Sequence, residues 1–193
     1  VGESLTFLIP NVYGGGMSTR LDAESNVAKL VMSKGADPNQ AVGFAANMST
    51  YWGEKQFTSG PWYFGAGVVF LFILGLVIVR GRLKWWLAGA TALVLLLSFG
   101  RHFPVVSDLF FDYFPMYNKF RAVESILIIA TLLVPVLAIL GINELVTNGN
   151  KVKNLDKKAL YVLYGVGGLT LLIAVLPDLF LSFKSSNHQA LTQ

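Results

Sequence analysis

Four apolar runs dominate the chain. They cover Trp62 to Val79, Trp85 to Phe99, Ile126 to Ile142 and Leu160 to Leu176. The third extends to Val123 and Val146, and Pro177 ends the fourth. A bilayer-crossing helix needs about 20 apolar residues, with a range of roughly 17–25. The first, third and fourth runs meet that length. The second is short and must recruit Leu83, Lys84 and Gly100, with the Lys84 ammonium snorkelling to the interface. The competing reading is four buried helices of a soluble core, but so short a chain leaves nothing to cover them. The pattern predicts an all-α, polytopic helical membrane protein with four transmembrane helices at 62–79, 84–100, 123–146 and 159–176. Residues 1–61 form a polar region with short helices, 101–122 an interfacial loop, and 177–193 a tail.

Within 1–61, Leu21 to Lys34 carries Ala23, Val27, Leu30 and Val31 at helical spacing. Ser18 or Thr19 caps its start and Gly35 its end. A second helix begins at Asp37-Pro38, with the aspartate as cap, and runs to about Asn47. Gly14-Gly15-Gly16 has the flexibility to cradle a phosphate, but no strand precedes it and no lysine follows at the right place, which favours a turn. Asn47-Met48-Ser49 fits a glycosylation acceptor, a pattern short enough to arise by chance.

Composition supports the membrane reading. Hydrophobic residues make up 54% and charged residues 13%, against about 25% charged in soluble chains. Disorder is excluded by the same numbers. The absence of cysteine removes any disulfide framework, thiolate nucleophile or cysteine metal site. The net charge is +4, and its placement matters more than its size. Arg80, Arg82 and Lys84 lie between the first two runs, and Lys151, Lys153, Lys157 and Lys158 between the last two. Short loops rich in Lys and Arg stay on the cytoplasmic side. The loops at 80–84 and 147–158 are therefore expected in the cytoplasm, and 1–61, 101–122 and 177–193 outside. Trp62-Tyr63 and Trp85-Trp86 sit where interfacial aromatics belong. Pro135 favours a kink in the third span by freeing the Thr131 carbonyl. Gly165, Gly167 and Gly168 allow close helix approach in the fourth, or are ordinary packing. No span carries a charge near its middle, which argues against an ion-coupled pump.

The 101–122 loop carries most of the candidate chemistry. Pro104 and Pro115 bracket an amphipathic stretch, with Val105, Val106, Leu109, Phe110 and Tyr113 on one helical face and Asp108 and Asp112 on the other. This predicts an interfacial helix over Pro104–Tyr113 with its aspartates toward water. The aspartate pair is a possible acidic site, or a solvated face. Arg101, Lys119 and Arg121 place cations on the side the charge rule disfavours, as suits binding of a lipid phosphate; headgroup anchoring is the plainer alternative. His102, Asn118, Tyr117 and Glu124 flank them in supporting positions. No metal site is expected.

Three segments resemble the YfhO family of bacterial multi-spanning membrane proteins, and its Bacteroidetes-type members in particular. They are Leu5-Thr6-Phe7-Leu8-Ile9-Pro10-Asn11-Val12-Tyr13-Gly14-Gly15, then Tyr51-Trp52-Gly53 with Phe57-Thr58-Ser59-Gly60-Pro61-Trp62-Tyr63-Phe64-Gly65, and finally Phe111-Asp112-Tyr113-Phe114-Pro115-Met116-Tyr117-Asn118-Lys119-Phe120-Arg121. The resemblance runs from about residue 5 to about 142. It implies a protein similar to GT-C glycosyltransferases, which move a sugar from a polyprenyl-phosphate carrier to an acceptor outside the cytoplasmic membrane. Family members are far longer, so the chain, which starts at Val1 without a signal-like segment, reads as part of a longer polypeptide. The catalytic acid of such enzymes usually lies in an earlier outer loop. No catalytic residue is therefore assigned, this segment alone is expected to be inactive, and the cofactor is left open.

The expected function of the whole is lipid-linked sugar transfer in cell-envelope glycan assembly at the bacterial inner membrane. The partners are the lipid bilayer and a polyprenyl-phosphate-linked sugar, with no nucleic acid. Tyr51, Trp52 and Trp62 stack on sugars or anchor at the interface. The alternatives are a non-catalytic transport or export component, or a lipid-binding structural subunit.

Overall fold

The computed structural model describes residues 2–16, 19–48, 50–51, 62–119 and 123–181. Among them the secondary structure is helical, with one isolated antiparallel bridge between Gly14 and Tyr51. The chain separates into two compact units. One comprises Val1–Ile9 with Trp62–Val175, and the other Pro10–Pro61 with Leu176–Gln193. The first nine residues thus group with the apolar helices and not with the polar segment that follows them.

In the second unit, α1 spans Asn26–Ser33 and α2 Pro38–Ala46. The α2 boundaries follow the sequence: Asp37 Oδ1 accepts from the Asn39 amide at 2.9 Å, and Pro38 occupies the first turn. Helix α1 starts later than the apolar spacing predicts. The Asp22 side chain accepts from the Glu24 amide at 3.1 Å, and its carbonyl accepts from Ser25 Oγ at 2.7 Å. That local turn competes with helix, so Ser25 becomes the cap, accepting from the Ala28 amide. The two helices pair, and Ala28, Ala41 and Ala45 are fully buried. Gly14 carries φ +86 and pairs with Tyr51, while the Thr19 and Thr50 side chains crowd Gly15. The glycine run is a packed turn, and among the described residues no helix begins beside it.

Each apolar run of the first unit forms a helix. These are α3 Ala66–Ile78, α4 Leu83–Ser98, α6 Leu127–Asn148 and α7 Leu155–Val175; α5 Pro104–Tyr113 lies between α4 and α6. At about 1.5 Å per residue, α6 and α7 exceed 30 Å, while α3 and α4 reach only about 20–24 Å. Two helices, α6 with its flanking turns and α7, are therefore long and apolar enough to cross a membrane. Helix α3 is shorter than its apolar run because Gly65 adopts φ +97 and stops it. The Phe64 and Gly65 amides donate to the Phe7 carbonyl at 3.3 and 3.2 Å, and the Phe7 and Phe64 rings pack tilted at 32° with centroids 4.8 Å apart. The 3-10 segment Gly2–Phe7 thereby straps the chain that enters α3.

Helix α6 is the hub, packing on α3 and α4, while α7 packs on α3. Its buried residues Leu127, Ala130, Val134, Leu137, Ala138 and Gly141 recur every three or four positions, the spacing of a helix seam. Pro135 lies inside α6, and the helix continues on both sides of it. The close approach is made by Gly75 and Gly141, where α3 meets α6. The Cβ positions of Gly165 and Gly168 meet nothing within 4 Å, and that of Gly167 meets only Leu163 of its own helix. Of the two readings of these glycines, close helix approach or ordinary packing, the geometry agrees with ordinary packing. Apolar side chains face outward along most of α6 and α7, among them Ile128, Leu132, Ile139, Leu169 and Leu171.

Helix α8, Pro177–Phe180, is a single turn in the second unit.

Candidate functional site

The loops at the two ends of the helix bundle differ in chemistry. At one end, Arg80 Nη2 donates to the Lys151 carbonyl at 3.1 Å, which joins the two basic loops. Lys84 is half-buried, and its Nζ donates to the Leu76 carbonyl at 3.0 Å. Leu76 is in the last turn of α3, where carbonyls lack helical partners and a cation complements the dipole.

The opposite end carries the turn after α4, helix α5 and the turns that lead into α6. After α4, a 3-10 turn Gly100–His102 carries Arg101 and His102. Ser107 Oγ on α5 donates to the Gly100 carbonyl at 3.0 Å and ties the two together. Helix α5 has the predicted limits, because Pro104 opens it and Phe114, preceding Pro115, turns extended. Within the next turn, Tyr117 N donates to the Phe114 carbonyl at 3.3 Å while Met116 takes φ +66. Glycine or asparagine normally fills that position, so Met116 is strained there. The turn folds Tyr117 back onto Phe110, edge to face at 5.7 Å, with Phe114 stacked on Phe110 at 5.3 Å. Lys119 follows in the 3-10 turn Tyr117–Lys119, and Glu124 lies in another, Val123–Ile126, which packs on α4.

His102 and Lys119 are exposed and Glu124 is half-buried. Asp108 and Asp112 are exposed on α5, and among the described residues no cluster of His, Asp or Glu could hold a metal. The row Val105, Leu109 and Tyr113 is exposed beside them, whereas Val106, Ser107 and Phe110 face the protein. Helix α5 therefore lays an apolar stripe outward with its carboxylates alongside. Arg121 lies outside the described residues, as do the side chains of Arg101 and Asn118. So do Trp52 and most of the second segment that resembles the YfhO family.

Tyr117 offers a group the sequence does not expose. Its hydroxyl is buried with no hydrogen-bond partner among the described residues, and burial pushes the phenol pKa above its usual value. An unsatisfied buried hydroxyl costs about 1–3 kcal/mol. Tyr117→Phe should therefore leave the thermal unfolding midpoint unchanged or raise it. A marked drop would mean that the hydroxyl has a partner in the folded protein.

Sequence reasoning also passed over Glu144, near the end of α6. Its side chain is 13% exposed and faces Arg80 at 3.8 Å. The signal was partial: Arg80 and Glu144 follow the first and third apolar runs, whose ends the charge rule puts on the same side.

No family model, curated protein or solved structure matches this chain.

Proposed function

We propose that the chain is a four-span part of a longer bacterial inner-membrane protein that handles a polyprenyl-phosphate-linked sugar on the outer side. The activity of the whole would be sugar transfer to a cell-envelope acceptor, as the resemblance to the YfhO family implies. One observation carries this reading. Both basic loops converge at one end of an apolar bundle, and the other end presents exposed His102 and Lys119 beside the outward apolar stripe of α5. By the charge rule the first end is cytoplasmic and the second external. There the stripe enters the headgroup layer, and Lys119, with Arg101 and Arg121 of the same loop, would meet the carrier phosphate.

Arg121 is the test residue, because a guanidinium binds phosphate through two parallel hydrogen bonds that an ammonium cannot reproduce. In proteoliposomes containing the full-length protein, Arg121→Lys should lower sugar transfer and carrier binding at least about tenfold, and Arg121→Ala further. Expression should stay near the parent level. Parent-like behaviour of Arg121→Lys in both assays would reduce the arginine to a headgroup anchor. Carrier binding without transfer would favour the non-catalytic, lipid-binding alternative.

A further inference from the structure

The two basic loops form one surface. Arg80 and Lys151 are 71 positions apart, yet the guanidinium donates to the Lys151 carbonyl. Arg80 Nε also lies 3.8 Å from Glu144 Oε1, so the same side chain braces α6. Around this brace, Arg82, Lys151, Lys153 and Lys157 are exposed. Two acids lie close by in the chain. Arg80 already faces Glu144, and Asp156 sits in the first turn of α7, where the helix dipole favours it. The surface therefore has cations to spare.

Its border is aromatic. Trp85 and Trp86, in the first turn of α4, are 67% and 77% exposed. Lys84 Nζ lies 5.4 Å from the Trp85 ring centre, so the charge and the indole share one position. On α7, Tyr161 and Tyr164 are exposed just past the second basic loop, and aliphatic side chains continue outward along the helix. A phosphodiester carrying acyl chains satisfies the whole arrangement: the phosphate meets Lys and Arg, the glycerol region meets the indoles and phenols, and the chains run along the helices. A soluble phosphate would satisfy the cations and leave the aromatic border bare.

We infer that this end of the bundle is a binding surface for the anionic phospholipid of the surrounding bilayer. The inference rests on the membrane reading above and concerns the end opposite the sugar-carrier site. It is tested on the full chain in mixed phosphatidylcholine–phosphatidylglycerol nanodiscs, and by phosphatidylglycerol titration in detergent read by native mass spectrometry. Phosphatidylglycerol should be bound in preference to phosphatidylcholine. The triple variant Arg82→Gln/Lys153→Gln/Lys157→Gln should weaken it about fivefold per cation, on the order of 100-fold together. High salt should weaken binding by the parent protein as well, a readout that needs no variant to fold. Parent-like affinity in the triple variant, insensitivity to salt, or displacement of the lipid by an equal concentration of inorganic phosphate each overturns the inference. Entry into nanodiscs without lipid preference overturns it alone. Failure to enter them at all overturns it together with the membrane reading.

Discussion

Gly75→Ala should destabilise the bundle although it adds a single methyl group. A Cβ at Gly75 would lie 2.7 Å from the Leu137 carbonyl oxygen. That obstacle is main chain and has no rotamer to escape into. The partner glycine is equally tight, since a Cβ at Gly141 would lie 3.0 Å from Gly75 Cα and 3.2 Å from the Leu71 carbonyl oxygen. Helices α3 and α6 would have to separate, opening the cluster of Leu74, Ile78 and Leu137 that packs beside the contact. Overpacking of this kind costs about 1–3 kcal/mol. Alanine's better helix propensity returns at most about 1 kcal/mol, so the steric term decides the sign. Gly75→Leu should leave no folded species. Gly165→Ala and Gly168→Ala supply the contrast, because their added methyls meet nothing within 4 Å and should be neutral or slightly stabilising. The measurement is the thermal unfolding midpoint in detergent. Equal midpoints for Gly75→Ala and Gly165→Ala would show that α3 and α6 do not approach so closely.

That contrast also marks where the sequence stopped being readable. Hydrophobic runs announce helices, so all four apolar segments and α5 were legible, and Asp37-Pro38 placed α2 to within a residue. Helix α3 is apolar all round, from Ala66 to Ile78. With no polar face there was nothing to say which side meets α6, and Gly75 looked like any other glycine. The start of α3 was misplaced for a different reason. Trp62 to Gly65 reads as part of the same apolar run, but the Phe64 and Gly65 amides are taken by the Phe7 carbonyl, a partner more than fifty positions away. At α1 the reverse happened: a local Asp22 turn, visible in principle, overrode apolar spacing. For the candidate site, the stretch from Arg101 to Lys119 could be laid out because two prolines fix the limits of α5. The inward fold of Tyr117 could not, since it depends on Met116 adopting a conformation its side chain disfavours.

Arg80→Met should destabilise the protein, and Glu144→Gln should partly restore it. Glu144 is 13% exposed and Arg80 67%. The carboxylate is thus the desolvated partner and the guanidinium the wet one. Glu144 Oε2 accepts from Asn148 Nδ2 at 3.3 Å, while among the described residues Oε1 has no hydrogen bond and only the charge of Arg80 at 3.8 Å to offset its burial. Removing one member of a fully buried pair costs about 3–5 kcal/mol. The exposure of Arg80 and the length of the contact bring the expected cost down to about 1–2 kcal/mol, to which the lost bond to the Lys151 carbonyl adds a little. Glu144→Gln alone removes the burdened charge and keeps an acceptor for Asn148, so it should cost less than Arg80→Met. In the Arg80→Met background the same change removes a charge that no longer has a partner, and it should raise the unfolding midpoint. The sign of Glu144→Gln therefore reverses between the two backgrounds, which a double-mutant cycle reads directly. If it lowers the midpoint equally in both, Arg80 does not act on Glu144, and the two basic loops are joined by the Lys151 carbonyl bond alone.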